Sequence, residues 1–430
     1  MKISVIGTGY VGLSTALGFA AKGHSCICVD VDKEKINNIN KGIPPFYEEG
    51  IEDALKDAVE KKLIVASNGY DDAVKNSEIT FVCVGTPSNP DGSADLSYIK
   101  SAVSSLGDVL KSKGSYHVVC IKSTVLPGTT EGIVRKQLEA SSGRKAGIDF
   151  GLVMNPEFLR EGRALEDFLS PDRVVIGELD KRSGDKIEML YSGFNAPIMR
   201  TSLKAAEMIK YASNAFLATK VTFINELGNL CKKLGIDIYE VARGIGYDKR
   251  ISPYFLDAGC GFGGSCFPKD VSALASLFSE EGVKSLLIDA VLQANANQKK
   301  KVVELLMSKT DLPGKKIAIL GLAFKEGTDD VRDSVAIDVI SELKKSGAVV
   351  CAYDPLANGS MKKIFPDIAY VGSASDALKD ADACLVLTAW PEFSELTDDD
   401  FAVMENKIII EGRRILDRSL VSSFEGVCWQ

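Results

Sequence analysis

Hydrophobic residues in this chain gather in short, nearly continuous runs, and longer amphipathic stretches lie between most of them. In the first part of the chain, these runs predict strands at residues 2–6, 25–29, 78–84, 117–121, 150–154 and 173–177. In the last part, similar runs predict strands at 316–320, 348–353, 383–387 and 407–410. Strands that are apolar on both faces are typical of parallel sheets covered by helices. The pattern therefore predicts two doubly wound parallel sheets.

The middle of the chain shows helical spacing instead. A long helix is predicted from Thr201-Ser202, which offer an N-cap, to Gly235, with an apolar stripe at Ala205, Met208, Ile209, Ala212, Phe216 and Thr219. Further helices are predicted at 236–244 and from about 273 to 309. The predicted fold class is α/β: two Rossmann-like doubly wound parallel-sheet domains, at 1–200 and 312–430, joined by an all-helical central domain at 201–311. This central domain is expected to be a connector and a dimer surface.

Composition narrows the functional classes. The chain has 430 residues, of which 45% are hydrophobic and 26% charged, and its net charge is -8. An acidic balance without long Lys/Arg runs argues against nucleic acid or an anionic membrane as a partner. The first residues run directly into a strand, not a signal peptide, and no apolar segment reaches membrane-spanning length. We therefore expect a cytoplasmic protein of two or three domains.

Cysteine and histidine usage excludes some chemistry. Most of the ten cysteines lie inside apolar runs and none forms a C-x-x-C pair, which predicts reduced, buried side chains. The two histidines, His24 and His117, each lie at the amino-terminal end of a predicted strand. A His-rich zinc site is therefore not available, and a histidine general base is hard to assemble. We expect no metal site.

A glycine-rich turn follows the first predicted strand. Residues 7–12 match G-x-G-x-x-G, and a second strand ends at Asp30. Between a strand and a helix, with an acidic residue about twenty positions on, this pattern is a strong dinucleotide fingerprint. Gly7 would make the turn, Gly9 would admit the pyrophosphate and Gly12 would let the helix pack on the strand. Asp30 would accept hydrogen bonds from the ribose and repel a 2′-phosphate, which favours NAD over NADP.

Polar segments follow three later strands, at 85–87, 122–125 and 155–162. Because functional groups of such sheets cluster at the carboxyl ends of the strands, we expect a cofactor and substrate rim there. On the long helix, Lys210 and Asn214 stand one turn apart and share a face, so both side chains are able to reach one ligand oxygen. A solvated Lys and Asn are the plainer alternative.

Cys266 lies in a glycine-rich turn at 261–270, just before a predicted helix with Pro268 near its start. The helix N-terminus and nearby Lys269 would both favour the thiolate, which makes Cys266 a candidate nucleophile; a buried core cysteine is the alternative. In the last part, 321–325 do not match G-x-G-x-x-G. A charged group at that strand end suits phosphates instead: Lys325, Thr328, Asp329, Arg332 and Asp333, with Arg413 and Arg414 in reach.

NAD together with a catalytic cysteine implies oxidation at the aldehyde level, with hydride leaving and a thioester remaining. The motifs GTGYVG, VGTP, STVLPGTT, NPEFLREG, KYASNAFLATKVTFINE, GFGGSCFPKD, GLAFKEGTDDVRDS and GRRILD occur in this order. By these motifs the chain resembles the UDP-glucose/GDP-mannose dehydrogenases over essentially its full length. The resemblance implies two successive oxidations of a sugar C6 alcohol to a carboxylate, with NAD as cofactor and UDP-glucose as the expected substrate.

The resemblance also implies residue roles. The catalytic residues are Cys266 (nucleophile), Lys210 and Asn214 (oxyanion stabilisation), and Glu157, Asp270 and Thr124 (acid/base and water positioning). The cofactor-binding residues are Gly7, Gly9, Tyr10, Val11, Gly12, Asp30, Lys35, Thr86, Thr124, Glu161, Lys269 and Arg332. The substrate-binding residues are Glu157, Phe158, Leu159, Arg160, Glu161, Lys210, Asn214, Arg250, Phe255, Leu256, Asp257, Ala258, Gly259, Gly263, Phe324, Lys325 and Arg413.

Three alternatives stay open at this point. Leu126 and Thr129-Thr130 make one loop read partly like that of the GDP-mannose enzymes, so GDP-mannose or another nucleotide sugar is the first alternative. A non-catalytic nucleotide-sugar or NAD sensor has no need of Cys266, Lys210, Glu157 and Asp270 together. A 3-hydroxyacid or 6-phosphogluconate-type dehydrogenase needs no thiol and leaves the second sheet unexplained.

Overall fold

The computed structural model describes residues 1–429 and divides into two compact units, Met1–Ser213 and a second from Asn214 onward. The predicted fold class, α/β with two mainly parallel sheets and a helical region between them along the chain, is confirmed. No helix among the described residues is both long and apolar enough to cross a membrane.

The first unit contains an eight-stranded sheet with the order β3-β2-β1-β4-β5-β6-β7-β8. The strands are β1 Lys2–Ile6, β2 Ser25–Val29, β3 Ile64–Ser67, β4 Ile79–Val82, β5 Val118–Ile121, β6 Gly151–Met154, β7 Val174–Glu178 and β8 Ile198–Ser202. The helices are α1 Tyr10–Ala21, α2 Lys33–Ile39, α3 Ile51–Glu60, α4 Tyr70–Lys75, α5 Ser97–Leu110, α6 Arg135–Ser142, α7 Ala164–Leu169 and α8 Lys181–Tyr191, with a π-helical turn at Thr130–Val134.

Two details of this sheet differ from the prediction. The run at 173–177 does not close the sheet, because β8 pairs beyond it, and β3 was not predicted. β7 runs antiparallel to β6, with Met154 opposite Gly177. The connection between them contains α7, which packs on α1 with the Phe168 ring against Gly18. Because β7 is antiparallel to β6 and β8 is parallel to β7, the last two strands run opposite to the strands before them.

The helical region begins with α9, Leu203–Leu234, and the boundary between the two units falls inside this helix. The Ser202 hydroxyl accepts a hydrogen bond from the Ala205 N–H, as expected of a residue at the helix start. The next helices are α10 Ile238–Gly246, α11 Phe267–Glu280 and α12 Leu286–Met307. The helical stretch predicted at 273–309 is thus two helices, which separate at Gly282, a residue with a φ of +68°.

The sheet of the second unit has six parallel strands in the order β11-β10-β9-β12-β13-β14. The strands are β9 Lys316–Leu320, β10 Val349–Tyr353, β11 Ala369–Tyr370, β12 Ala383–Val386, β13 Ile408–Glu411 and β14 Glu425–Gly426. The helices are α13 Val335–Lys345, α14 Asn358–Lys362, α15 Ala374–Leu378, α16 Pro391–Ser394 and α17 Asp398–Phe401. β9 matches the predicted strand residue for residue.

The surroundings of the cysteines and histidines indicate a structural role for most of them. No disulfide joins any of the ten cysteines within residues 1–429, and nine of them are buried while Cys266 is half-buried, which confirms the prediction of mostly reduced core thiols. His117 is fully buried, bonds to the Thr80 hydroxyl and the Ser77 carbonyl, and has a pKa lowered by burial to about 3. The ring of His24 bonds to the N-terminal amine of Met1. Both imidazoles are therefore engaged within the first unit's fold.

Candidate active-site residues

The glycine turn between β1 and α1 has the geometry that close backbone packing requires. Gly7 has a φ of +90°, and a Cβ there would lie 2.8 Å from the Cys83 carbonyl oxygen. A Cβ on Gly12 would lie 1.8 Å from the Gly7 carbonyl oxygen. Gly9, by contrast, is exposed at the start of α1 and has open space around it. The turn is therefore tightly packed beneath and open above, at a helix N-terminus suited to a phosphate.

Asp30 is held beside this turn. Its Oδ2 accepts hydrogen bonds from the Thr8 N–H at 2.9 Å and the Thr8 hydroxyl at 2.6 Å, and its Oδ1 accepts from the Asp32 N–H. Burial alone would raise the pKa of Asp30, but these hydrogen bonds and nearby Lys35 lower it below its ordinary value. The carboxylate is therefore ionised and fixed in direction at neutral pH.

The remaining predicted cofactor residues of this unit surround the same edge of the sheet. The Tyr10 ring stacks on Phe46 at a centroid distance of 3.9 Å, and Val11 lies in the first turn of α1. Thr86 is buried, and its hydroxyl donates to the Thr124 carbonyl at 2.9 Å. This bond joins the segment after β4 to the segment after β5, as expected for polar groups on successive strand ends.

Glu157 and Lys210 form a buried ion pair. The Lys210 Nζ lies 2.9 Å from Glu157 Oε1, and their side chains are 4% and 6% exposed. The other oxygen of Glu157 accepts from the Leu159 N–H at 2.5 Å. Burial alone would raise the pKa of Glu157, but the Lys210 ammonium and these hydrogen bonds lower it. The structure thus joins two residues that sequence reasoning named separately.

The residues around this pair have distinct surroundings. The Phe158 ring lies 3.8 Å from the Arg173 guanidinium carbon and 5.6 Å from the Lys210 Nζ. Arg160 is exposed and makes a two-pronged ion pair with Asp167. Glu161 is half-buried in the turn before α7. Both Glu157 and Phe158 therefore lie beside Lys210, whereas Arg160 is paired with Asp167.

Two buried carboxylates that sequence reasoning missed anchor these loops. Glu207 on α9 accepts from the N–H groups of Gly128 and Thr130 at 2.6 and 2.8 Å, and burial raises its pKa. Glu48 accepts from the N–H groups at the start of α7, those of Ala164 and Leu165. An isolated Glu carries no local signal of this role, because its acceptor function depends on backbone donors far away in sequence.

In the second unit, Cys266 is the N-cap residue of α11, and Pro268 lies in its first turn, as predicted. Cys266 is half-buried, and its Sγ is 3.5 Å from the Ser265 hydroxyl. The preceding glycines pack against residues 324–334: the Gly264 N–H donates to the Arg332 carbonyl, and Gly264 has a φ of +83°. The turn therefore places the sulfur at the positive end of a helix, which favours the thiolate.

We expect Gly263→Ala to lower the thermal unfolding midpoint and the activity, because its Cβ would lie 2.1 Å from the Asp333 carbonyl oxygen. Overpacking against backbone costs about 1–3 kcal/mol. Gly244→Ala is the matched control, since Gly244 lies in α10 with nothing within 4 Å of a Cβ and should gain stability. Equal melting behaviour of the Gly263→Ala variant and the wild type would contradict this packing.

Asp270 is buried in the first turn of α11 and is held from two sides. The Asn214 amide donates to its Oδ2 at 2.6 Å, and the Lys269 ammonium bonds to its Oδ1. Asn214, Asp270 and Lys269 are thus brought together as a group. Lys210 and Asn214, which share a helix face, each contact a carboxylate: Glu157 and Asp270, respectively.

Side-chain amides hold the backbone that precedes the cysteine turn. Asn225 accepts from the Gly259 N–H at 2.7 Å, Gln298 donates to the Gly259 carbonyl at 2.7 Å, and Asn295 bonds both backbone groups of Phe262. Arg413 donates to the Gly261 carbonyl at 2.8 Å. Sequence reasoning found Arg413 but missed the three amides, which look like ordinary polar residues on amphipathic helices.

The remaining predicted substrate- and cofactor-binding residues of the second unit differ in burial and in their partners. Phe255 has a left-handed φ of +63°, Leu256 and Ala258 are buried, and Asp257 is exposed. The Lys325 Nζ lies 5.9 Å from the Phe324 ring centroid. Arg332 makes a two-pronged pair with Asp330, and Arg250, 89% exposed, pairs with Asp248. The left-handed Phe255 is a strained position of the kind that often occurs at binding sites.

The second sheet differs from the first where a dinucleotide site would lie. Asp354 follows β10 as Asp30 follows β2, but it is buried. Its Oδ2 accepts from the N–H groups of Leu322 and Ala323 and from the Trp390 indole. Its Oδ1 accepts from the N–H groups of Leu356 and Ala357. These contacts agree with the lack of a glycine fingerprint at 321–325.

A dinucleotide turn in one unit and a cysteine at a helix N-terminus in the other define the class, a nucleotide-dependent dehydrogenase. Three models of the UDP-glucose/GDP-mannose dehydrogenase family match the chain: the NAD binding domain at residues 1–195, the central domain at 204–297 and the UDP binding domain at 318–418. The chain belongs to the UDP-glucose/GDP-mannose dehydrogenase family.

Individual relatives cover nearly the whole chain. It is 44% identical to UDP-glucose 6-dehydrogenase AglM of Haloferax volcanii, over 97% of this chain and 98% of that protein. It is 42% identical to UDP-glucose 6-dehydrogenase TuaD of Bacillus subtilis, over 96% and 89%. A UDP-glucose dehydrogenase structure from Pyrobaculum islandicum matches with a TM-score of 0.95 and 39% identity, covering 100% of this chain and 98% of that one.

Proposed function

We propose that this protein oxidises UDP-glucose to UDP-glucuronate with NAD, in two successive two-electron steps. The observation that carries the proposal is the thiol of half-buried Cys266 at the N-terminus of α11, in a chain whose family models include NAD and UDP binding domains. A thiol has no role in oxidising an alcohol to an aldehyde, but it allows an aldehyde to be carried on to the acid level.

The first unit fits NAD. The open space at Gly9 and the start of α1 suit the pyrophosphate, and the ionised carboxylate of Asp30 suits the ribose hydroxyls. We propose that Tyr10, Val11, Lys35, Thr86, Thr124 and Glu161, with Lys269 and Arg332, complete the cofactor contacts. These residues would hold NAD, which when bound would supply a hydride acceptor for each of the two oxidations.

The chain's own residues supply the rest of the chemistry. We propose that the Cys266 thiolate adds to the C6 aldehyde to form a thiohemiacetal, which becomes a thioester on the second oxidation. Water then cleaves the thioester, releasing the carboxylate and regenerating the thiol. Lys210 and Asn214 stabilise the oxyanion, and Glu157 and Asp270, with Thr124, move protons and position water.

Substrate binding is proposed at the positions that the family pattern marks. The residues are Glu157, Phe158, Leu159, Arg160, Glu161, Lys210, Asn214, Arg250, Phe255, Leu256, Asp257, Ala258, Gly259, Gly263, Phe324, Lys325 and Arg413. We propose that residues 1–200 bind NAD, that 201–311 form the central domain and that 312–430 bind the UDP-sugar. Ten cysteines without a disulfide among them support the proposal of a reducing, cytoplasmic location.

Cofactor choice gives a prediction for Asp30. We expect kcat/KM with NAD to exceed that with NADP by at least about tenfold, since repulsion of a 2′-phosphate by this carboxylate costs more than about 1.4 kcal/mol. The control is Asp30→Asn, which keeps an oxygen to accept from Thr8 but loses the charge. This variant should lower the ratio of kcat/KM with NAD to kcat/KM with NADP, mainly by raising kcat/KM with NADP. Equal use of both cofactors by the wild type would refute the assignment.

The substrate is tested by a panel of nucleotide sugars with NAD, followed by NADH absorbance. UDP-glucose should be oxidised fastest. GDP-mannose is the alternative that one observation favours: a GDP-mannose dehydrogenase structure from Pseudomonas aeruginosa matches with 36% identity and a TM-score of 0.59, over 100% of both chains. Preferential oxidation of GDP-mannose would replace UDP-glucose in the proposal, and no oxidation of any member would reject it.

We also propose that the protein is a homodimer or larger homo-oligomer through α9. Phe216, Phe223 and Leu230 recur every seventh residue on this helix and are 66%, 51% and 53% exposed, so they form one apolar stripe. Such a stripe on a helix surface is typical of an interface. We expect light scattering to give at least a dimer mass for the wild type.

A substitution tests this stripe. Phe223→Glu should shift the mass towards the monomer, because it places a charge in the middle of the stripe. Met189→Glu is the control, since Met189 is 62% exposed on α8, away from α9 in sequence, and should leave the mass unchanged. A monomeric wild type, or an unchanged mass in Phe223→Glu, would remove this interface.

A further inference from the structure

Lys122 is a buried lysine with an uncommon set of partners. It follows β5 and is 3% exposed, and its Nζ lies 5.6–6.0 Å from the ring centroids of Phe81, Phe168 and Tyr191. Its hydrogen bonds go to neutral oxygens: Asn155 Oδ1 at 2.9 Å, the Tyr191 hydroxyl at 3.3 Å and the Asn155 carbonyl at 3.5 Å. A buried cation without a carboxylate bonded to it is costly to the fold.

The fold does not need the ammonium to satisfy Asn155. The Tyr191 hydroxyl also donates to Asn155 Oδ1, at 2.7 Å, and the Asn155 amide donates to the Val175 carbonyl at 2.8 Å. With an apolar residue at 122 the Asn155 side chain would therefore still be satisfied, but its Oδ1 and its backbone carbonyl would each lose the contact with the ammonium that connects residues 155–157 to the end of β5. Stability alone gives no reason for a lysine here, and its contacts with Asn155 connect it to the neighbouring loop.

That loop carries Glu157, two residues after Asn155. The titratable groups that interact with Lys122 or Glu157 include Lys210, the thiols of Cys83 and Cys120, and the Tyr191 hydroxyl. Burial raises the pKa of Cys83 to about 12 and also raises those of Cys120 and Tyr191, so all three are neutral at pH 7. The charges acting on Glu157 among these groups are therefore those of Lys210 and Lys122.

We infer that Lys122 is a positioning residue for the oxidation: its ammonium fixes the Glu157 loop through Asn155 and holds Glu157 in its ionised form. The inference rests on the catalytic role proposed for Glu157. Lys122 also lies two residues before Thr124, so its bonds to Asn155 connect the segment that carries Thr124 to the segment that carries Glu157. The pKa of Lys122 is lowered by burial, and the charge of Lys210 acts in the same direction, while the carboxylate of Glu157 acts in the opposite one.

The test compares Lys122→Met with Tyr191→Phe in the full-length protein. Loss of the ammonium removes a charge that favours ionised Glu157, so the acidic limb of the kcat–pH profile should move to higher pH. We expect kcat at neutral pH to fall by about tenfold, while the melting temperature is unchanged or rises. Tyr191→Phe keeps the ammonium and should leave the acidic limb in place. Lys122→Gln, which keeps a donor without the charge, should move the limb as Lys122→Met does.

A purely structural lysine would give the opposite pattern: a lower melting temperature and an unmoved acidic limb in Lys122→Met. That result would overturn the inference. Amide hydrogen exchange of ligand-free protein provides a readout that needs no substrate. A peptide spanning 155–161 should exchange faster in Lys122→Met than in wild type, and a β1 peptide should not change. If the wild type oxidises no nucleotide sugar, the proposed function fails, and unchanged exchange at 155–161 would separately reject the role of Lys122.

Discussion

We expect Cys266→Ser to lower the steady turnover of UDP-glucose to UDP-glucuronate by at least about a thousandfold. A serine hydroxyl is a weak nucleophile at neutral pH without an activating base, and the helix N-terminus that favours a thiolate does not ionise an alcohol. Any ester formed on serine would also hydrolyse more slowly than a thioester. Intact-protein mass spectrometry should therefore show a trapped sugar adduct, or else little product should form.

The melting temperature and NADH binding of the same variant serve as controls for the fold and the cofactor site. Cys266 is half-exposed at the start of α11, so the substitution of oxygen for sulfur should leave the melting temperature and NADH binding close to those of the wild type. Cys260→Ser tests thiol specificity, because Cys260 is buried six positions earlier and takes no part in the proposed chemistry. Normal turnover by Cys266→Ser would remove the nucleophile from the account.

Lys210→Met is expected to lower kcat by at least about a hundredfold with little change in NAD affinity, because the ammonium acts on oxygen charge that develops in the transition state. It should also lower stability. The Glu157 carboxylate would remain buried without the partner that lies 2.9 Å away, and breaking such a pair costs about 3–5 kcal/mol. Steady-state kinetics and thermal unfolding measure the two effects.

The double variant Lys210→Met/Glu157→Gln separates catalysis from stability. A neutral amide at 157 removes the unpaired charge, so the melting temperature should recover. Because Glu157→Gln alone removes a proposed acid/base group, kcat is compared with that single variant, and the double variant should have the lower kcat. Equal kcat in the two would show that Lys210 acts only through Glu157. Loss of NAD binding in Lys210→Met with kcat intact would instead place the lysine with the cofactor.

The sequence predicted the first β-α-β unit best. Strands Lys2–Ile6 and Ser25–Val29 match the prediction residue for residue, because a buried apolar run bounded by glycine turns is a local signal. β3 was missed because its burial alternates along Ile64–Ser67, with Val65 half-exposed. β8 was missed because none of its residues is buried, so no apolar run marks it.

The residues that position the candidate site were harder to predict than the residues proposed to act in it. Cys266 and Asp30 lie in recognisable sequence motifs, so the sequence alone identifies them as candidates. Asn225, Asn295 and Gln298 are single polar residues on long helices, and their role depends on a loop backbone that reaches them from elsewhere in the chain. Lys122 looks like a surface loop residue in the sequence, although it lies among three aromatic rings. Such long-range contacts leave no periodic signal.

The central claim is that one enzyme carries out both two-electron oxidations while the sugar stays bound covalently to Cys266 between them. The most direct measurement is the number of NADH formed per UDP-glucose consumed, with limiting sugar, excess NAD and a hydrazine reagent present to capture any released aldehyde. The account predicts two NADH per sugar, UDP-glucuronate as the product and no captured aldehyde. One NADH per sugar, with the aldehyde recovered as its hydrazone, would contradict it and describe an ordinary alcohol dehydrogenase.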